Sequence, residues 1–290
     1  MKPSLLGAVY LALAASIWGS VYVVSKYVME TVEPLVLVWL RYLIAVVFLG
    51  GAILVKRLPL RIACGDIKWI VGVGVIGYFL SIWTQFVGTK LSTAQMGAVI
   101  TSAVPAFMVV FAAVILKEKI TRQKALAIII STVGVLLVIG FDAQEANLQL
   151  GGMVLVFAAL TWALMSVLVK KIPAHYSQAV VTMYELILAT AIMTPLVCRE
   201  ISFTELSLLL ISPLGGWIWY LGIVATAFAF YLWNEGLRIS QASSGCVYFF
   251  FQPLVGAWLG WLFLGETIGI GFFTGMILIF VGVYLTMRQA

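Results

Sequence analysis

Charge is scarce in this chain. Only 10% of its 290 residues are Asp, Glu, Lys or Arg, against about 25% in an ordinary soluble domain. A chain with so few charges and 63% hydrophobic residues is an integral membrane protein. Histidine is nearly absent too: His175 stands alone, close to Pro173, which excludes a His-based catalytic or metal cluster. The three cysteines, Cys64, Cys198 and Cys246, are far apart and odd in number, so neither a disulfide framework nor metal-ligand spacing is present. No P-loop occurs, which argues against ATP-driven pumping. No feature calls for a cofactor. The net charge of +6 does not point to nucleic acid, because the basic residues fall in short clusters between apolar runs.

Those runs number ten, at about 5–25, 34–55, 69–88, 95–116, 123–141, 150–170, 179–198, 214–236, 243–263 and 269–287. Each approaches the ~20 residues that cross a hydrocarbon core as a helix. Lipid offers the backbone no hydrogen-bond partner, so spans of this length are helical. Segment 1, with Lys2 and Ala12-Leu13-Ala14, has the outline of a signal peptide. It is read as a retained helix because it has a matching partner later in the chain. With the N-terminus inside, thirteen basic residues fall in inner loops and ends, and three, Lys26, Lys90 and Arg199, fall outside. The positive-inside rule therefore predicts both termini in the cytoplasm.

The chain also matches itself. At an offset of 144, Leu6-Gly7 meets Leu150-Gly151, Ala14-Ala15 meets Ala158-Ala159, Trp18 meets Trp162 and Arg41 meets Glu185. At 148, Gly88, Lys90, Ala94 and Gly97 meet Gly236, Arg238, Ala242 and Gly245, and then Pro105, Glu118 and Gly134 meet Pro253, Glu266 and Gly282. This is a duplication of five helices, with halves at 1–143 and 144–290. Five is odd, so the second copy inserts upside down. Inverted repeats of that kind can exchange shapes and so open a central site to either side in turn.

Arg41 and Glu185 are the two charges placed well inside apolar runs. From the helix rise, Arg41 lies ~10 Å below the outer surface and Glu185 ~9 Å from the inner one, roughly 10 Å apart in depth. They form an ion pair only if both side chains reach toward the midplane. The alternative for Arg41 is snorkelling to the outer headgroups. Burial cost makes function the default for both: Arg41 is expected to attract a carboxylate or phosphate, and Glu185 to handle a cation, an amine or a proton. Aromatic and polar stripes complete the candidate substrate site. These are Tyr78, Ser81 and Gln85 on segment 3; Ser244, Tyr248 and Gln252 on segment 9; Tyr231 and Asn234 on segment 8; Trp18 with Tyr22 on segment 1; and Trp162 with Ser166 on segment 6. Each could instead serve packing, interhelical bonding or the interfacial belt. Pro105 and Pro253 sit midway along segments 4 and 9, freeing the carbonyls of Thr101 and Phe249; each is a hinge or a static kink. Glu118 and Glu266 follow the same two segments and are expected to cap the helix that comes next.

The stretches LSTAQMGAVITSAVPAFMVVFAAVILKEKITRQKALAIIISTVGVLLV (91–138) and ISQASSGCVYFFFQPLVGAWLGWLFLGETIGIGFFTGMILIFVGVYL (239–285) share a small-residue helix with a central proline, a glutamate just past its end and a glycine-containing closing helix. They resemble the EamA-type repeat of the drug/metabolite transporter superfamily, and the resemblance covers nearly the whole chain. It implies ten helices, a central cavity walled by helices 1–4 and 6–9, and helices 5 and 10 as outer supports. Members move amino acids, other small metabolites, drugs or nucleotide-sugars, and many bacterial ones are exporters. The expectation is an all-α inner-membrane secondary transporter, with the lipid bilayer, a small-molecule substrate and coupling protons as its partners. Its leading substrate is an amino acid or a similar zwitterion. Alternatives are proton-coupled export of cationic drugs through Glu185 and flipping of lipid-linked sugars. A membrane enzyme is disfavoured, since neither a metal cluster nor paired carboxylates are present.

Overall fold

The computed structural model describes residues 3–139, 146–173, 175–233, 248 and 250–287, and among these the regular structure is entirely helical. The principal helices are α1 (Pro3–Val28), α2 (Pro34–Val55), α3 (Ile67–Leu91), α4 (Ala94–Ile115), α5 (Arg122–Ile139), α6 (Ala146–Lys171), α7 (Gln178–Glu200), α8 (Pro213–Trp233), α9 (Phe251–Leu264) and α10 (Ile270–Met287). A short surface helix, Phe203–Ile211, precedes α8. Eight of these, α1 to α8, are long and apolar enough to cross a membrane, and α9 and α10 are shorter apolar helices. Most of the first half of the expected ninth segment, with Ser244, lies outside the described residues.

Local chemistry sets the ends. Pro34 and Pro213 open α2 and α8, where a missing N–H costs nothing and φ is already helical. Thr93 caps α4 by accepting from the Met96 N–H at 3.0 Å, and Ser202 with Glu205 forms a capping box on the surface helix. Gly265, at φ +64°, closes α9 in the left-handed region.

The burial pattern is inverted relative to a soluble protein. Leu54, Val55, Val114, Phe263 and Ile270 are strongly exposed, while Arg41, Gln95, Ser131 and Glu185 are buried. Apolar side chains ringing the outside with polar ones within fits a lipid solvent. The principal contacts join the two halves of the chain: α1 with α9, α2 with α7 and α8, α3 with α6 and α7, α4 with α6 and α9, and α5 with α10. The α5–α10 crossing is built on small residues. A Cβ at Gly134 would lie 2.7 Å from the Gly275 carbonyl oxygen, and one at Gly282 would lie 2.7 Å from that of Ala127.

Crossings alternate in direction. On one face, Lys90 pairs with Glu33 at 2.9 Å, and the Glu266 carboxylate accepts the Ala94 and Gln95 N–H groups at 2.6 and 2.9 Å. On the other, the Tyr176 hydroxyl donates to Asp66 at 2.8 Å, Tyr184 donates to the Leu60 carbonyl at 3.0 Å, and Lys170 stands 3.8 Å from Glu118. The Lys- and Arg-rich loops around 56–68, 117–124 and 170–171 thus share one face. Glu266 does cap a helix, but that helix is α4 in the other half of the chain, not α10 as expected. Glu118 faces Lys124 and Lys170.

Candidate functional site

Three helices carry irregularities that shape the interior. Gly74–Ser81 in α3 and Tyr220–Phe228 in α8 are π-helical, a widened turn common at functional sites. In α4 the helix breaks at Ser102 and Ala103 and resumes with Val104 and Pro105 at its first positions. Pro253 is likewise in the first turn of α9.

These elements surround a cavity of about 80 Å³. Its wall combines Trp18 and Tyr22 of α1, Arg41 of α2, Gln85 of α3, Thr101 and Val104 of α4, Trp162 of α6, Phe230 of α8 and Gln252 of α9. Ordinary small-molecule pockets span ~300–1,000 Å³, so this cavity is nearly shut and a substrate must open it to enter. Among the described residues, Arg41 is the one charged residue on its wall. It is buried; its Nε–H donates to Thr226 Oγ1 at 3.0 Å, and its guanidinium carbon lies 5.3 Å from the Phe86 ring centre and 5.8 Å from that of Tyr42. Among the described residues no carboxylate lies within ion-pair distance of it. Snorkelling therefore does not describe its position; it is held inside by two rings and a hydroxyl.

Opposite this cation runs a directed hydrogen-bond chain. Gln252 Nε2 donates to the Tyr22 hydroxyl at 3.0 Å; Tyr22 meets Thr101 Oγ1 at 2.5 Å; Thr101 donates to the Gly97 carbonyl at 2.7 Å. Thr101 has given its proton to the backbone, so Tyr22 is the donor to Thr101. The chain ties α9 to α1 and to the half of α4 before the break. Gly97 makes room for it: a Cβ there would lie 2.7 Å from the Tyr22 ring.

The structure thus brings Trp18, Arg41, Gln85, Trp162 and Gln252 together around one cavity. Other candidates sit elsewhere. Ser81 donates to the Ala158 carbonyl at 2.7 Å and joins α3 to α6. Tyr78 stands behind the wall, its ring 6.1 Å from Trp162 and 6.3 Å from Phe230. Tyr231 is exposed, with the Lys56 amine 4.9 Å from its ring. Tyr248 stacks on Phe251, and Asn234 lies outside the described residues. Glu185 is buried and off the cavity wall, with no ion pair to Arg41. Sequence reasoning missed Thr101, Phe230 and Thr226 as functional side chains. Two carried signals: Thr101 is four residues before Pro105, and Thr226 falls on Tyr78 at the offset of 148.

A lipid-facing helical body around a nearly closed, largely apolar cavity with a buried arginine on its wall fits a membrane transporter. The comparison with known proteins gives its family: residues 5–140 and 149–288 each match the EamA-like transporter family, and the chain belongs to it. An uncharacterized transporter of Archaeoglobus fulgidus is 27% identical over 287 residues, covering 97% of this chain and 98% of its own length. An S-adenosylmethionine/S-adenosylhomocysteine transporter of Chlamydia trachomatis is 26% identical over 283 residues, covering 92% and 84%. A solved crystal structure aligns over 99% of this chain and 98% of its own with a TM-score of 0.65 at 19% identity, which is a likeness of fold. Among the described residues no group of three or more His, Cys, Asp or Glu is placed to hold a metal.

Proposed function

We propose that this chain is a secondary transporter of a small amphiphilic metabolite bearing a carboxylate or phosphate, most simply an amino acid or an amino-acid-like compound. The observation that carries the reading is Arg41, a cation without a carboxylate partner among the described residues, on the wall of an aromatic cavity. A buried charge that the protein leaves without a counter-ion is suited to one that arrives with the substrate. The same feature disfavours cationic drugs that lack an anionic group, since the one charged side chain on the wall among the described residues would repel them. S-adenosylmethionine, from which one relative takes its name, is a sulfonium, but its amino-acid carboxylate offers Arg41 a partner and its aromatic base suits the same wall.

Alternating access between two inverted five-helix halves is the proposed mechanism. Its support is the contact pattern. Exchange each helix for the one five places on, and α1 with α9 becomes α6 with α4, and α2 with α8 becomes α7 with α3; all four contacts are present. The contact detail follows suit: a Cβ at Gly222 would meet Ile44 at 2.6 Å and the Arg41 carbonyl at 3.2 Å, and one at Gly74 would meet Leu188 at 3.0 Å and the Glu185 carbonyl at 3.4 Å. Ile44 and Leu188 are 144 residues apart, as are Arg41 and Glu185.

We propose export as the direction of transport; the proposed orientation, with both termini in the cytoplasm, is supported by the shared face of the basic loops. Cysteine labelling by an impermeant reagent in intact cells checks it on a Cys-free background: Thr204→Cys labels and Arg61→Cys does not. The reverse pattern overturns the orientation. The transport reading itself is tested in proteoliposomes by counterflow of labelled amino acids and of S-adenosylmethionine. Saturable exchange absent from empty vesicles is expected, and its absence across both probes removes the leading substrate class.

The proline break gives a kinetic prediction. Pro105→Ala restores an N–H where α4 is interrupted and favours a continuous helix by up to about 3 kcal/mol. If the break is the hinge on which the half-helix moves, turnover falls by about tenfold or more while KM stays within about twofold. Turnover equal to the parent's assigns Pro105 to a static kink.

A further inference from the structure

Glu185 has no role in the cavity just described, yet it is more deeply buried than Arg41, at 1% against 5% exposure. Its Oε1 has no hydrogen-bond partner among the described residues, and no cation there lies within ion-pair distance. A carboxylate ion buried without a partner costs several kcal/mol, and the acid avoids that cost by holding a proton. The elements packed on α7 are α2 and α3, and neither brings it a positive charge. From the π segment of α3, Tyr78 faces both Glu185 and Thr182. At the start of α3, Lys68 turns to the Trp69 ring, 5.2 Å away. On α2, Tyr42 donates its hydroxyl to the Tyr78 carbonyl at 2.9 Å, Arg41 is held by Thr226, and Lys56, at the end, covers Tyr231.

Two further observations turn an isolated acid into a site with a task. The first is its connection. Tyr78 faces Glu185 on one side and lies beside Trp162 and Phe230 of the cavity wall on the other, which places one ring between the acid and the wall. The second is its counterpart. Arg41 lies against the π segment of α8 through Thr226 and Gly222, and Glu185 lies against the π segment of α3 through Tyr78 and Gly74. Thr226 and Gly222 fall on Tyr78 and Gly74 at the offset of 148. The two charges occupy equivalent places, one open to the cavity and one shut from it.

We propose that Glu185 is a proton-binding site outside the substrate cavity, closed in this nearly shut conformation and joined to the cavity when it opens to either side of the membrane, so that one proton moves with each transport cycle. This rests on the inverted-repeat reading above. The proton comes from cavity water to a Glu185 carboxylate oxygen while the cavity is open to one side of the membrane, and it returns to water when the cavity is open to the other side. Tyr78 is a positioning residue, acting from its place between the acid and the wall.

The first arm of the test needs no substrate. Infrared difference spectra of the lipid-reconstituted protein across a pH titration are expected to contain the carbonyl band of a protonated carboxylic acid at neutral pH. The band disappears in Glu185→Gln, returns in Glu185→Asp and shifts in Tyr78→Phe. In the second arm, proteoliposomes enclosing a pH-sensitive dye are given the amino-acid mixture or S-adenosylmethionine. In Glu185→Gln, substrate movement no longer carries protons and no longer follows an imposed pH gradient, whereas in Arg41→Gln the loss is in KM. A band that survives Glu185→Gln, or unaltered proton movement in that variant, overturns the proposal. If neither probe is carried by the parent, the proposed substrate class fails while the infrared band still decides whether Glu185 holds the proton.

Discussion

Arg41→Gln is expected to weaken binding of an anionic substrate by about 10- to 100-fold, and to leave a decarboxylated analogue bound about as before. The magnitude follows from the loss of one buried charge-assisted hydrogen bond, roughly 1.5–3 kcal/mol. The guanidinium is fixed before the substrate arrives. Its Nε–H is engaged by Thr226, and the Phe86 and Tyr42 rings hold its plane. Little ordering cost therefore falls on binding. The substitution has a second consequence that separates function from architecture. Breaking a buried ion pair strands a charge and costs about 3–5 kcal/mol, but Arg41 has no carboxylate partner among the described residues. Replacing it with a neutral amide removes a burial cost, so the variant is expected to express and unfold like the parent or better. Competition by the acid and by its amine analogue in a counterflow assay, beside a thermal unfolding curve, reads both. Equal weakening of the two ligands, or a destabilised protein with unchanged affinity, would assign Arg41 to packing.

The sequence announced the membrane and the helices because each rests on composition or length, and lipid leaves the backbone few alternatives. It also nominated six of the residues on the cavity wall, Tyr22 among them as the face-mate of Trp18. Trp18 and Trp162 stood out by falling on each other, Arg41 by its burial cost, and Gln85 and Gln252 as polar groups in apolar helices. What it could not rank was rotation about each helix axis. In a soluble helix the polar face marks the outside; here the lipid face and the packed face are both apolar, so a stripe does not say which way it points. Tyr231 turned outward for that reason. The stripe of Tyr78, Ser81 and Gln85 assumed 3.6 residues per turn, and the π segment Gly74–Ser81 changes that register, leaving Gln85 on the wall and Tyr78 behind it. Glu266 misled differently. Its nearest helix in sequence is α10, but the free N–H groups it meets belong to α4, 171 and 172 positions earlier. A cap satisfied across the two halves is invisible to local reasoning.

The crossing of α5 on α10 yields the largest expected loss. Gly134→Leu and Gly282→Leu should each abolish recovery of folded protein, whereas Gly51→Leu should not. At Gly134 a new Cβ would stand 2.7 Å from the Gly275 carbonyl oxygen and 2.9 Å from the Ile279 nitrogen; at Gly282 it would run into Ser131 Oγ and stand 2.7 Å from the Ala127 carbonyl oxygen. Both sites are met by main-chain atoms of the facing helix. Relief therefore requires the helices to separate, and the remaining atoms of leucine enlarge the separation. Membrane helices associate through such close small-residue packing, because lipid supplies no hydrophobic drive to hold them together once it is lost. The expected cost lies above ~4 kcal/mol, in the range that core overpacking reaches only when backbone blocks relaxation. Gly51, with nothing within 4 Å of its would-be Cβ, faces open space, and leucine there adds one more apolar side chain to the outside. The two damaging sites are 148 residues apart and meet partners that are themselves 148 apart, Ala127 with Gly275 and Ser131 with Ile279. A crossing that repeats itself under exchange of its helices should fail alike from either side. Fluorescence-detected size exclusion of the three variants in detergent gives the comparison. A folded peak for either interface variant as large as that of Gly51→Leu would sink the argument that this crossing is closed by backbone. The milder Gly134→Ala, with a single carbon to place, should yield less protein than the parent. What is recovered should keep the parent's substrate affinity, since α5 and α10 contribute no residue to the cavity wall.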